Sequence, residues 1–94
     1  MDAHVATLEL GAVVATPGAI AALAEADQGP REFLERHLNG DWGEVGFEDW
    51  AENDRSIRDG FRILSAYTLK TSVKIWIITE ADRSVTTILL PDEY

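Results

Sequence analysis

This chain predicts an α+β domain: an antiparallel sheet, built from an N-terminal strand and a C-terminal three-stranded meander, with two to three helices packed on one face. Three observations carry that expectation. The last third is dense in β-branched and aromatic residues and is broken by two short polar connections. The middle holds proline starts, glycine stops and apolar residues at helical spacing. The composition, 46% hydrophobic and 27% charged over 94 residues, suits a single globular domain spanning 1–94 with one modest core.

His4 to Ala15 is rich in Val, Leu, Ala and Thr without a helical stripe and reads as a strand, with Gly11 as a point of interruption. Thr16-Pro17 is a helix start, Thr as N-cap and Pro in the first helical position. The alanine-rich helix it opens, 17–27, puts Ile20, Leu23 and Ala24 on one face and is stopped by Gly29. Pro30 starts a second helix with Phe33, Leu34, His37 and Leu38 on its apolar side and Gly40 as its stop. Residues 41–46 form a loop containing Gly43 and Gly46. Phe47, Trp50, Ala51 and Ile57 then give the inner stripe of a third helix, which Gly60 closes. Asp54 and Arg58 are spaced i,i+4, which suits an ion pair. The strands expected beyond are 61–69, 73–79 and 85–90, joined by connections short enough for hairpins. In the middle one, Val73, Ile75 and Ile77 share one face and Lys74, Trp76 and Ile78 the other.

The charge is concentrated. Between Glu25 and Asp54 stand ten acids against Arg31 and Arg36, which accounts for −8 of the chain's net −9. Such a field attracts basic surfaces and repels nucleic acid and anionic membrane, so neither direct nucleic-acid binding nor membrane binding is expected. The apolar runs are also shorter than a membrane span requires. Lack of cysteine and of a signal-like N-terminus favours a cytoplasmic setting. The acids fall on short helices and a glycine loop. Carboxylates an α-helical turn apart are held roughly 6 Å from one another. An array of that kind can imitate a nucleic-acid backbone and occupy a basic groove. The ordinary alternative is a solvated helical face. The candidate contacts are Asp41, Glu44, Glu48, Asp49, Glu52 and Asp54 in place of phosphates, with Trp42, in its glycine-flanked loop, as an apolar anchor. Phe47 and Trp50 fit the core better than the contact surface.

Histidine occurs only at 4 and 37, and no pair has zinc-ligand spacing. Gly40, Gly43 and Gly46 lie among acids, the wrong field for phosphate. No metal or cofactor is therefore expected. One constellation hints at catalysis: His37 with Arg62, Arg83, Ser84 and Thr86, a base, a charge clamp and hydroxyls of the kind small ribonuclease toxins place on a curved sheet. At a pI near 4.4 the chain would repel RNA, so a non-enzymatic role is preferred, with the toxin reading on His37, Arg83 and Thr86 as an alternative. A third possibility is an antitoxin-like or regulatory module that uses a free sheet edge.

Residues 37–43 (His-Leu-Asn-Gly-Asp-Trp-Gly), Asn53-Asp54, 62–67 (Arg-Ile-Leu-Ser-Ala-Tyr) and 74–91 (Lys-Ile-Trp-Ile-Ile-Thr-Glu-Ala-Asp-Arg-Ser-Val-Thr-Thr-Ile-Leu-Leu-Pro) resemble a family of short bacterial proteins carried on plasmids, prophages and integrative elements. Some of that family bear a label linking them to type I restriction–modification. The chain is too short for a methyltransferase and lacks a glycine-rich cofactor loop. The resemblance implies a mobile-element setting and no assigned catalytic residue. By analogy with anti-CRISPR and anti-restriction proteins, it suggests an inhibitor of a host nucleic-acid-binding defence complex, a monomer or weak dimer that acts by blocking a basic DNA groove.

Overall fold

A computed structural model describes residues 8–94. Positions 4–7 of the expected first strand lie outside the described residues. The described elements are β1 (Ala12–Ala15), α1 (Pro17–Ala26), α2 (Pro30–Leu38), α3 (Phe47–Asp59), β2 (Ile63–Thr68), β3 (Lys74–Thr79), β4 (Val85–Leu89) and a short 3-10 turn at Pro91–Glu93. The helix ends follow local chemistry. The Thr16 hydroxyl accepts from Ala19 N at 3.1 Å and caps α1. Gly60, at φ +78°, closes α3 in the left-handed conformation that glycine adopts freely.

The four strands form one sheet in the order β1-β4-β3-β2. β2, β3 and β4 are the expected antiparallel meander. β1 pairs with β4 in parallel, Ala12 opposite Val85 through Ala15 opposite Ile88, so the sheet is mixed rather than antiparallel throughout. The cause is the path of the chain. All three helices lie between β1 and β2, and so long a connection crosses the sheet and brings the next strand in along the same direction. β1 and β2 are thus parallel strands at opposite edges.

The helices cover one face. Ala19, Ala22, Leu23 and Ala26 of α1 and Phe33 of α2 pack on Tyr67, Leu69, Ile75, Ile77 and Ile88. A second cluster joins Leu8, Trp42 and Ile63, with Val45, Trp50 and Ile57 against it. On the opposite face Trp76 is half-buried and meets Tyr94 edge to face, ring centroids 5.7 Å apart.

Two inner faces differ from those expected. α1 buries its alanines and Leu23, while Ile20 is 57% exposed and Ala24 is exposed. This helix is apolar nearly all round, and its small side chains allow the closest approach to the sheet. Phe47, expected in the core, is 89% exposed. It occupies the first residue of α3, and Trp50, Asn53, Ser56 and Ile57 make the helix's inner side.

Candidate functional site: the acidic loop and α3

The loop 41–46 and α3 are held against the outer edge of β2. An edge strand presents unpaired N–H and C=O groups along its length. Here the Trp42 carbonyl accepts from Ala66 N at 3.1 Å, and Glu44 N donates to the Ala66 carbonyl at 2.7 Å. The Asn53 side chain donates to the Leu64 carbonyl at 2.8 Å and accepts from Leu64 N at 3.4 Å. Gly43, at φ +74°, lies so close to the Ala66 carbonyl and the Tyr67 ring that a Cβ would collide with both. The sequence therefore needs glycine at this point of the loop and an amide on the inner face of α3.

The six candidate carboxylates are not equivalent. Asp41 is half-buried, 2.7 Å from Arg36 Nε, and accepts from Gly43 N at 3.1 Å. The Arg36 guanidinium holds its carboxyl below the usual carboxylate range. Glu44 accepts from the Thr68 hydroxyl at 2.7 Å and from Lys74 Nζ at 3.0 Å, and these bonds likewise lower its pKa. Glu52 pairs with Arg55 one turn on. Asp54 accepts from Trp42 Nε1 at 2.9 Å and does not pair with Arg58. Glu48 and Asp49 remain, exposed in the first turn of α3 and without an ion pair among the described residues. There the helix N-terminus favours negative charge.

Trp42 is not the anchor expected of it. It is fully enclosed, edge-on to His37 at 5.6 Å, with its one polar atom bonded to Asp54. The glycine beside it lets the chain turn its indole inward, where a large apolar ring gains most from burial. The aromatic side chain presented among the acids is Phe47. The only sequence signal for this was its position at the helix start, next to Gly46, which also suits a core residue.

Of His37, Arg83 and Thr86, the first and last are joined through Thr79 in a buried chain of hydrogen bonds, while Arg83 bonds elsewhere. His37 and Thr86 have no solvent exposure. Nδ1 of His37 lies 2.5 Å from the Ser65 hydroxyl and Nε2 lies 2.9 Å from the Thr79 hydroxyl. Thr79 is 2.8 Å from the Thr86 hydroxyl, which donates to the Leu10 carbonyl. That terminal carbonyl sets the direction of the chain. Thr86 spends its proton on Leu10, so Thr79 donates to Thr86 and accepts from His37 Nε2–H. Nδ1 is left to accept from Ser65. Burial, with Arg83 adding to it, lowers the pKa of His37 to about 4. Arg83 itself donates to the carbonyls of Ser56, Phe61 and Glu80, tying the end of α3 to the β3–β4 turn. Of the other two residues in that set, Arg62 bonds the Tyr94 hydroxyl and Ser84 bonds Asp82.

Among the described residues no group of His, Asp and Glu is arranged to hold a metal ion, and no helix is long and apolar enough to cross a membrane. Comparison with protein-family models, with curated proteins and with solved structures finds no match.

Proposed function

We propose that the chain is a non-enzymatic inhibitor that docks on the basic DNA groove of a host nucleic-acid-binding defence complex, in the cytoplasm of a bacterial cell. The observation that carries this reading is Phe47, 89% exposed at the start of α3, directly followed by Glu48 and Asp49, whose carboxylates have no ion pair among the described residues. An apolar ring amid fixed charges has the makeup of an interface centre. Glu48, Asp49 and Asp54, the last bonded only to the neutral Trp42 N–H, supply the net negative charge of the loop and α3, while Asp41, Glu44 and Glu52 are paired with bases of the chain. The mobile-element resemblance of residues 37–91 agrees with such a role.

The test is an affinity capture from lysates of defence-carrying bacteria, washed at low and high salt, with wild type, Phe47→Ala and the double reversal Glu48→Lys/Asp49→Lys. A DNA-handling complex retained at low salt, thinned at high salt and lost with both variants is expected. Retention of the same complex by both variants, with the fold intact, would sink charge mimicry.

A further inference from the structure

The sheet's two edges differ. The outward groups of β2 at Leu64 and Ala66 are met by Asn53 and the acidic loop. At the other edge, Ala12 N and Thr16 N donate to the Ser84 and Ile88 carbonyls at 3.0 Å. In a parallel ladder of that register, Val13 and Ala15 turn their N–H and C=O groups outward. Neither residue has a backbone partner there among the described residues. β1 also lacks the charge, proline or bulge with which exposed edges are commonly blunted. Beside it, between β1 and the outer sides of α1 and α2, runs an open groove of about 440 Å³. Val13, Ala15, Ile20, Ala24 and Leu34 line it, and no charged side chain does. Val13, Val14 and Ile20 are 46%, 47% and 57% exposed.

We infer that this edge receives a second copy of the chain. β1 of each copy pairs antiparallel with the other, Val13 opposite Ala15, with a two-fold axis at the facing Val14 residues. Ile20 and Ala24 of the two α1 helices close over the new ladder. Two observations select a second copy as occupant. The unpaired backbone at Val13 and Ala15 needs an extended strand, and β1 is one whose outward groups match their own two-fold image. The chain carries −9, yet the groove is uncharged and lies at the opposite edge from the acidic loop and α3. Two copies meeting here set no carboxylate of that loop or helix against another.

Sedimentation equilibrium over a wide concentration range, with amide hydrogen exchange at Val13 and Ala15, tests this. A species of twice 10.4 kDa is expected. Val14→Lys, which sets like charges opposite each other, and Ile20→Glu should each weaken it by at least about tenfold while the monomer's melting temperature holds. The two amides should become protected as concentration rises. A monomer at every concentration, or a dimer indifferent to both variants, overturns the inference. Protection that does not vary with concentration also overturns it, in favour of residues 1–7 as the occupant.

Discussion

His37 is the residue whose surroundings make the sharpest claim. Its ring is enclosed, with one nitrogen accepting from Ser65 and the other donating to Thr79, so a second ring proton would displace the Ser65 hydroxyl bond and leave a buried charge. The folded pKa of about 4 lies below the ordinary 6.5 of an unfolded chain. The unfolded state therefore takes up the proton first as pH falls. Stability is full above pH 6.5, declines down to about 4 and loses nothing more to this group below that. The loss over the window is on the order of 3 kcal/mol. Urea midpoints measured across that range should fall for wild type and stay nearly level for His37→Gln. The carboxyls held low, those of Asp41, Glu44, Asp82 and Glu93, contribute stability that begins to be lost only near their ordinary values of 3.8 to 4.5, so they overlap the acid end of this window and leave the fall between pH 6.5 and about 5 to His37. Phe47 makes the opposite prediction. At 89% exposure its replacement by Ala removes almost no packing, so the thermal midpoint should not move even as partner capture falls. A clear loss of stability in that variant would mean that Phe47 is packed in solution.

At the scale of elements, the parts governed by local chemistry were legible and the parts governed by neighbours were not. Thr16-Pro17, Pro30 and Gly60 mark helix ends whatever surrounds them, and the observed bounds agree with those readings to within a residue or so. The alternation in β3 likewise assigns Ile75 and Ile77 to the covered face. The direction of β1 was not legible, because residue pattern reports which side is buried and says nothing of strand polarity. Trp42 and Phe47 exchanged their expected places for a similar reason. Both are aromatic residues beside glycine, and only the docking of loop 41–46 on β2 decides which is enclosed. That docking is testable. Gly43→Ala forces a side chain into the left-handed region and against the Ala66 carbonyl, at a cost of at least about 2 kcal/mol. Asn53→Ala strips the bonds to Leu64 at a cost of roughly 1–2 kcal/mol. In hydrogen exchange the Leu64 and Ala66 amides should lose protection in the respective variants before those of β3 do. Uniform protection loss across the sheet would show that the seal is not a separate unit.

For the whole molecule the governing quantity is charge. Ion pairs with Arg36, Lys74 and Arg55 relieve Asp41, Glu44 and Glu52, and Arg31 does the same for Glu35, yet the chain still carries −9. These pairs are exposed and each is worth little. Repulsion among the remaining acids should outweigh them, so the melting temperature should rise with moderate salt. A temperature that falls with salt would mean that the ion pairs dominate. The total charge and its location were plain in the sequence, whereas the pairing of each acid with a base distant along the chain, as Glu44 with Lys74, depends on the fold.

Sealing β2 while leaving β1 open gives the sheet a valence of one. A strand edge that pairs with its own image uses up that valence in a single event, and the pair then presents only its two β2 edges, each covered at Leu64 and Ala66. Growth beyond two copies has no site at which to add. The small loop anchored by Gly43 and the amide of Asn53 thereby act as a chain terminator. Removing both should convert a closed pair into a polymerising unit, visible as fibrils from a chain that otherwise stays dispersed.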